Sequence, residues 1–461
     1  VRILVANHSA AHHLGGSELS ILGLVAAWRD QRPDLEPYLV SPAAGAAMEA
    51  AAASDGWSTS VAPSAGWVSF AEHESRARRR LERAAVRNHV DALTAVLDEV
   101  RPALVVVNTV VSPWAAVAAH ERGIPVAWFV REFIEDRPGF RLREGRTTTL
   151  QYVDALATQV LANSEAVRAS LADVIAPERV LVAHPVIDLD AVAEAAERRA
   201  RLHRGTGPLR VGLVGRVTPE KGHRVAVQAI AELSDRGIHA ELDLVGGVIL
   251  PGFDHELRRL ARRRGIADRV HLLGEKRRPL EHLSAADVSL VPSPREAFGR
   301  VTLECLALGL PVVASRDGGS AELVEHGVSG ALIDVTDPAA IADALAAYAT
   351  DRARIADHSA AAARRAADVI AGPHGASATI AALEAIIAAE TVASAAGADA
   401  RAALLAPAEP LSPATRAALH LADSVSTAGH RLRRLVRDPR TPLRRRWVVL
   451  SGRARQRARR G

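Results

Sequence analysis

Short apolar bursts alternate along the chain with longer stretches whose apolar positions recur every three or four residues, the rhythm of strands alternating with helices. In the first half this pattern predicts strands over Val1–Ala6, Glu36–Val40, Ala103–Val107, Pro125–Val130 and Val160–Ala162. Between them it predicts helices over Gly16–Arg29, with Leu19, Leu22 and Ala26 on one face, and over Asp91–Val100, Pro113–Arg122 and Thr148–Thr158. Ser164 is placed to cap a further helix starting at Glu165. Residues 188–209 read as a polar, helix-prone connector, after which the rhythm restarts. The second series predicts strands over Arg210–Gly215, Glu241–Gly246, Val270–Leu273, Val288–Val291 and Val312–Ala314, with helices over Gly222–Asp235, Asp254–Arg264, Pro279–Ala285 and Gly299–Leu308. Strands that are apolar throughout, rather than alternating, belong to parallel sheets covered on both faces. The expected fold class is therefore α/β: two Rossmann-like parallel-sheet domains, residues 1–190 and 207–365, facing across a cleft.

The 461 residues exceed what one ordinary core organises, which agrees with that division. Aromatic residues are 3% of the chain, so the interiors are expected to be small and aliphatic rather than built from ring stacks. The single cysteine, Cys305, excludes an intrachain disulfide and fits a reducing compartment. The opening VRILVAN reads directly as a strand, and no uninterrupted apolar run has the length of a membrane span.

Charge changes the picture at one end only. The formal net charge is +5, yet residues 430–461 hold 13 arginines against one acid, Asp438, or +12, which leaves residues 1–429 at about −7. A nucleic-acid-binding fold would spread its basic charge over the body, and this one does not. Residues 366–429 read as an Ala-rich helical extension with a break at Ala406–Pro413, and residues 430–461 as an Arg-rich tail. Within the tail, Arg431, Arg433, Arg434 and Arg437 are interspersed with Leu432, Leu435 and Val436, and Arg444-Arg445-Arg446 precede Trp447-Val448-Val449-Leu450. Cations flanking an aromatic and aliphatic patch suit an anionic membrane surface. RNA binding and a plain solvated tail remain open alternatives.

Three segments carry candidate chemistry. Gly215-Arg216-Val217-Thr218-Pro219-Glu220-Lys221-Gly222 lies at the end of a strand and leads into a helix. Gly215 and Gly222 permit tight turns, while Arg216 and Lys221 place two cations beside amide groups that favour an anion. The segment lacks the third glycine of a nicotinamide fingerprint, and no Gly-x4-Gly-Lys-Ser/Thr loop is present. The second segment, Pro292–Cys305, follows the strand Val288–Val291. It sets Glu296 at the carboxyl edge of the sheet and Glu304 inside the following helix, with Phe298, Gly299, Arg300, Val301 and Thr302 between them. Their amides can cradle a phosphate at a helix start. Taken alone, these residues fit equally a Gly-rich turn with solvent-facing cations and solvated helix acids. The third is Gly274-Glu275-Lys276, after another strand.

Taken together, Gly215-Arg216, Lys221-Gly222, Glu296-x7-Glu304 with Phe298-Gly299, and Ala307-x-Gly309-x-Pro311-Val312-Val313-Ala314 resemble family 4 of the retaining glycosyltransferases, over about residues 1–365. The resemblance implies the GT-B fold and a nucleoside-diphosphate sugar as donor substrate, without any further cofactor or metal. It implies that Arg216 and Lys221 bind the donor phosphates, that Glu296 contacts the transferred sugar and that Glu304 contacts ribose. Arg216, Lys221 and Glu296 are thereby the catalytic candidates. Glu275 falls in the loop that borders the base in such enzymes. Gly15-Gly16-Ser17-Glu18 resembles the amino-terminal glycine loop near phosphates and acceptor, where Gly16 is expected to avoid a Cβ clash. Asp317-Gly318-Gly319 and Glu322 resemble the following loop, with Glu322 structural.

The acceptor half follows the family less closely. Where many members carry a histidine after a mid-domain strand, the stretch Trp128–Phe133 offers Arg131 or Glu132. His184-Pro185-Val186-Ile187-Asp188 stands at an Asn-Gly-Val-Asp-like position without its glycine. His8, His12 and His13 precede the glycine loop but lack an accompanying acid cluster, so no metal site is expected. The resulting expectation is a retaining sugar transferase acting on a carbohydrate or lipid-linked acceptor in cell-envelope or exopolysaccharide synthesis, cytoplasmic or peripheral at the inner membrane face. Its alternatives are a GT-B phosphorylase or sugar-phosphate synthase, and a noncatalytic carbohydrate-binding scaffold.

Overall fold

A computed structural model of the chain describes residues 1–11, 13–63, 66–69, 76–135, 141–202, 207–389 and 395–406. His12, the Ala406–Pro413 break beyond its first residue and the arginine tail lie outside the described residues. The chain divides into two compact units, residues 1–70 with 88–404 and residues 71–87 with 405–461. The two large parallel sheets lie in the first unit, with a small antiparallel pair, Val68–Ser69 and Arg141–Leu142, beside them in sequence.

The first sheet has seven parallel strands: β1 (Arg2–Ala6), β2 (Glu36–Ser41), β3 (Ser58–Val61), β4 (Leu104–Val107), β5 (Val126–Val130), β6 (Gln159–Ala162) and β7 (Val180–Val182). Their spatial order is β3-β2-β1-β4-β5-β6-β7. The second sheet has six: β8 (Leu209–Val214), β9 (Ala240–Val245), β10 (Val270–Gly274), β11 (Val288–Val291), β12 (Val312–Ser315) and β13 (Gly330–Ile333), in the order β10-β9-β8-β11-β12-β13. Each order reverses beside the first strand of its own series. Register places Val5 between Leu39 and Val106, and Val211 between Leu242 and Val288. All residues of β4, β5 and β11 are buried, as continuous apolar strands between two helical layers require.

Three strands of these two sheets escape the sequence pattern: β3, β7 and β13 are short edge strands of three or four residues, too brief for a period to show. The helix predicted over Asp91–Val100 begins at Arg76, because its first turns are a charge run rather than an amphipathic face. The connector contains the helix Leu189–Arg201, which buries Val192 and Ala195 with Leu283, Phe298 and Leu306 of the second domain. Arg199 on that helix donates to the carbonyls of Ala286 and Ser284.

One composition-based expectation is corrected. Trp67 stacks between Trp128 and Tyr152, with ring centroids 6.1 Å apart on each side, so the first domain does contain a ring stack. The indole N–H groups of Trp67 and Trp128 donate to the carbonyls of Val110 and Thr109, which makes burying these polar-tipped rings tolerable.

Among the described residues, one stretch, Ala353–Ala388, is apolar and long enough to cross a membrane by length and composition. It forms two helices, Ala353–Ala371 and Ala376–Ala388. The first packs Ala362, Ala366 and Val369 against the second domain, and the second returns Ile380, Leu383 and Ile386 to the core of the first. Glu384 fixes that return by accepting hydrogen bonds from Trp28 Nε1, at 2.6 Å, and from Arg32.

Candidate active site

Residues that follow the carboxyl ends of strands in one sheet touch their counterparts from the other. After β6, Ser164 caps the helix Glu165–Leu171 by accepting from Val167 N–H, while its hydroxyl donates to the carbonyl of Ala297 beyond β11. Glu322, beyond β12, accepts from the amides of Glu165 and Ala166 at 2.9 and 2.6 Å. The expected structural role of Glu322 is thus a seam contact: a carboxylate satisfying the open amides of a helix start in the other domain. His184 completes the seam between the rings of Phe298 and His374. Burial, with the nearby His374 and Arg365, lowers its pKa to about 4, so the ring is neutral.

The first candidate segment ends in a 3-10 turn, Pro219–Lys221, and the helix proper runs His223–Asp235. Gly222 joins them at φ 70°, and a Cβ there would sit 2.1 Å from the carbonyl oxygen of Pro292. Glycine is required both by conformation and by space. This close approach brings the turn after β8 onto the loop after β11. Lys221 Nζ and Glu296 Oε1 consequently lie 2.5 Å apart, both side chains mostly buried. Burial pushes the Glu296 carboxyl up, but the Lys221 ammonium, hydrogen bonds from Lys221 and Ser293, and the field of Arg216 outweigh it and hold the acid below its ordinary range. Arg216 itself is exposed, with no carboxylate within 4.0 Å among the described residues.

Glu296 is anchored from below. Its backbone bridges to Gly318, whose φ of 78° and lack of a Cβ let the two chains meet, and Gly319 N–H donates to Glu296 O at 2.8 Å. The next helix, Arg300–Ala307, starts after Gly299 at φ 90°. Arg300 Nε reaches Glu304 Oε1 at 2.8 Å, and Arg300 Nη1 donates to the Val186 carbonyl at 2.9 Å. Burial raises the Glu304 carboxyl above its usual range in spite of Arg300. Two acid–cation pairs therefore line this edge, Lys221–Glu296 and Arg300–Glu304.

The remaining candidates divide by what they present. Phe298 is buried against His184, and the Thr302 hydroxyl is engaged with Ser320 Oγ at 3.0 Å, so what these two offer a ligand is backbone. Val301 packs beside the second domain's core. Glu275 is exposed at the end of β10, facing Gly247.

On the other side, the helix Gly16–Gln31 opens with Glu18 Oε2 reaching back to accept from Gly15 N–H at 3.1 Å, the half of a capping box that a glycine N-cap allows. The expected crowding at Gly16 falls on its neighbour: a Cβ on Gly16 meets no protein atom within 4 Å, whereas one on Gly15 would lie 2.7 Å from Glu18 Oε2. Gly215 likewise has only the flexible Lys221 side chain near its Cβ position, and it is Gly246 that must lack a Cβ, which would lie 1.8 Å from the Gly215 carbonyl. Gly246 was missed because its constraint comes from a neighbouring strand. His8 is half-buried near Glu18, and no cluster of three metal-ligating side chains occurs among the described residues.

Residues 14–191 match the family described as Glycosyltransferase Family 4, and residues 195–367 the family described as Glycosyl transferases group 1. A D-inositol 3-phosphate glycosyltransferase 2 of Catenulispora acidiphila is 39% identical over 222 residues, 45% of this chain and 51% of that protein. A D-inositol 3-phosphate glycosyltransferase of Xylanimonas cellulosilytica is 39% identical over 202 residues, 41% and 48% of the two chains. The chain spans about half the length of the curated relatives it matches. Among solved structures, Anabaena HepE in complex with UDP-glucose superposes with a TM-score of 0.65 at 22% identity, covering 83% of this chain and 99% of that one. Sucrose-phosphate synthase of Thermosynechococcus elongatus gives 0.62 at 20% identity, covering 84% and 98%. At such identities the likeness is one of fold.

Proposed function

We propose that this chain, whose two halves match Glycosyltransferase Family 4 and Glycosyl transferases group 1, is a GT-B glycosyltransferase that moves a sugar from a nucleoside-diphosphate donor to a glycan or lipid-linked acceptor with retention of configuration. The observation that carries this reading is the meeting of Lys221 and Glu296 at 2.5 Å, from loops 75 residues apart, at adjoining carboxyl strand ends. Open α/β sheets bind ligands at that edge. In the proposed site Lys221 and Arg216 face the donor diphosphate, Glu296 receives hydroxyls of the sugar, and Glu304 receives those of the ribose. The amides of Gly299–Thr302 support the phosphates, and Gly15-Gly16 close from the acceptor side.

As the bond between C1 and the phosphate oxygen breaks, its electron pair stays on the leaving diphosphate. Two cations placed there stabilise the charge as it develops, which is where preorganised electrostatics lower a barrier. The acceptor oxygen attacks C1 from the same face, and its proton passes to the departing phosphate oxygen. Setting is part of the proposal: cell-envelope or exopolysaccharide synthesis, with the arginine tail, 430–461, at an anionic membrane surface. The anomeric proton coupling of the purified product tests the stereochemistry. Retention of the donor's configuration is expected, and an inverted linkage would overturn the front-face route.

A further inference from the structure

The interdomain seam holds three arginines whose electrostatic situations differ. Arg295, beyond β11, lies over the Phe133 ring at 3.7 Å and pairs with Glu135 at 2.7 Å. Arg300 pairs with Glu304 at 2.8 Å. Arg131, directly after β5, has no carboxylate within 4.0 Å of its guanidinium among the described residues. Yet it is held firmly. Its guanidinium lies 4.4 Å over the Phe129 ring, and its Nε donates to both the carbonyl and the side-chain oxygen of Asn108 at 3.1 Å. Asn163 Nδ2 fixes its carbonyl at 3.1 Å. Asn108 in turn donates to Ser17 O, which ties the arginine to the glycine loop.

Stacking and the Nε bonds use one face and one edge of the guanidinium. The Nη edge keeps some solvent contact and has no protein partner among the described residues. A rigid guanidinium with its two-pronged edge open matches the oxygens of a phosphate or carboxylate, and desolvation by the protein strengthens such a pair. Burial already lowers Arg131 to about 10, with Glu132 and Glu18 opposing and Arg300 adding to the effect, so a bound anion would relieve a real cost.

We propose that Arg131 is a specificity-determining residue that grips an anionic group, a phosphate or a carboxylate, on the sugar or polyol acceptor. This rests on the transferase reading above, since it places that group opposite the donor edge formed by Lys221 and Glu296. The donor side needs Arg216 and Lys221 for its own diphosphate, which leaves Arg131 as the cation available to the second substrate.

The test uses the full chain saturated with UDP, so that the donor-phosphate site is filled. Calorimetry compares matched neutral and anionic compounds: inositol with inositol phosphate, glucose with glucose 6-phosphate, and glucose with glucuronate. The phosphate and carboxylate arms separate the two kinds of anion. At least one anionic member is expected to bind about tenfold or more tighter than its neutral partner, the worth of one charge-assisted bond. Arg131→Gln should abolish that preference and Arg131→Lys should restore part of it, while UDP affinity reports that the Gln protein is folded. Equal binding of neutral and anionic members by the wild-type protein would overturn the inference, as would an unchanged preference in Arg131→Gln. A selective loss of UDP affinity in Arg131→Gln would overturn it too, by moving the arginine to the donor. UDP that fails to bind the wild-type protein would instead count against the donor site itself, and so against the transferase reading beneath.

Discussion

The proposed donor edge and the proposed acceptor side of this molecule are built differently. At the donor edge two of the cations face carboxylates, Lys221 with Glu296 and Arg300 with Glu304, and glycines that cannot be replaced fix the backbone beneath them. On the acceptor side Arg131 is immobilised by an aromatic face and by the two oxygens of Asn108, with no carboxylate in contact with its guanidinium among the described residues, and Gly16 has free space around it. The difference indicates which half is committed to one ligand. In the proposed function the nucleoside diphosphate meets the half assembled from close backbone approaches. In the proposed acceptor site a single open guanidinium sets the preference.

That contrast is sharpest at Glu304. Removing it with Glu304→Ala should weaken binding of the nucleoside diphosphate the chain accepts, found by screening several, by about tenfold or more, the size expected for hydrogen bonds to a charged group. Acceptor affinity, measured with that diphosphate saturating, should change much less. Equal weakening of both would break the proposed division between the halves.

Gly222→Ala comes next. Its new methyl group would meet the Pro292 carbonyl at 2.1 Å in a left-handed backbone, so unfolding free energy should fall by more than about 2 kcal/mol. Gly16→Ala, with nothing within 4 Å, should cost less than about 1 kcal/mol of stability. Denaturant midpoints for the two proteins decide this, and similar losses would show that the halves are equally constrained.

A pH dependence is shared by the seam and the donor half. His184 and His223 are both lowered to about 4 from an ordinary 6.5, chiefly by burial. The unfolded chain therefore binds more protons than the folded one between those values, and stability is lost as pH falls from about 6.5 towards 4. Each ring should contribute at most about 3 kcal/mol over that window. Comparing melting temperatures across the window, His184→Gln should show a shallower fall than the wild type. An unchanged slope would mean that the seam histidine is not held neutral.

The same contrast explains what could be read in the sequence. Donor-edge chemistry is concentrated in Gly215–Gly222 and Glu296–Glu304, where the glycines and acids stand close along the chain. The contacts that hold those segments in place were not readable. Glu322 reaches the amides of residues 156 and 157 positions away, and His184 meets Phe298 across the seam. Gly246 looked like an ordinary strand end because its constraint is the carbonyl of Gly215. Arg131 showed only as a departure from the family's histidine; its missing carboxylate partner is a fact of three-dimensional packing.

The central claim is that Lys221 and Glu296 mark a nucleotide-sugar donor site that performs transfer. Release of nucleoside diphosphate tests it most directly, followed with wild-type and Lys221→Ala proteins across a panel of nucleotide sugars and neutral and anionic acceptors. At least one donor should give acceptor-dependent release in the wild type. Removing a cation aimed at the leaving group should slow that release by about 100- to 1,000-fold, as the loss of one preorganised electrostatic donor does elsewhere. Release that is unaffected in Lys221→Ala, or absent for every donor in the wild type, would contradict the account.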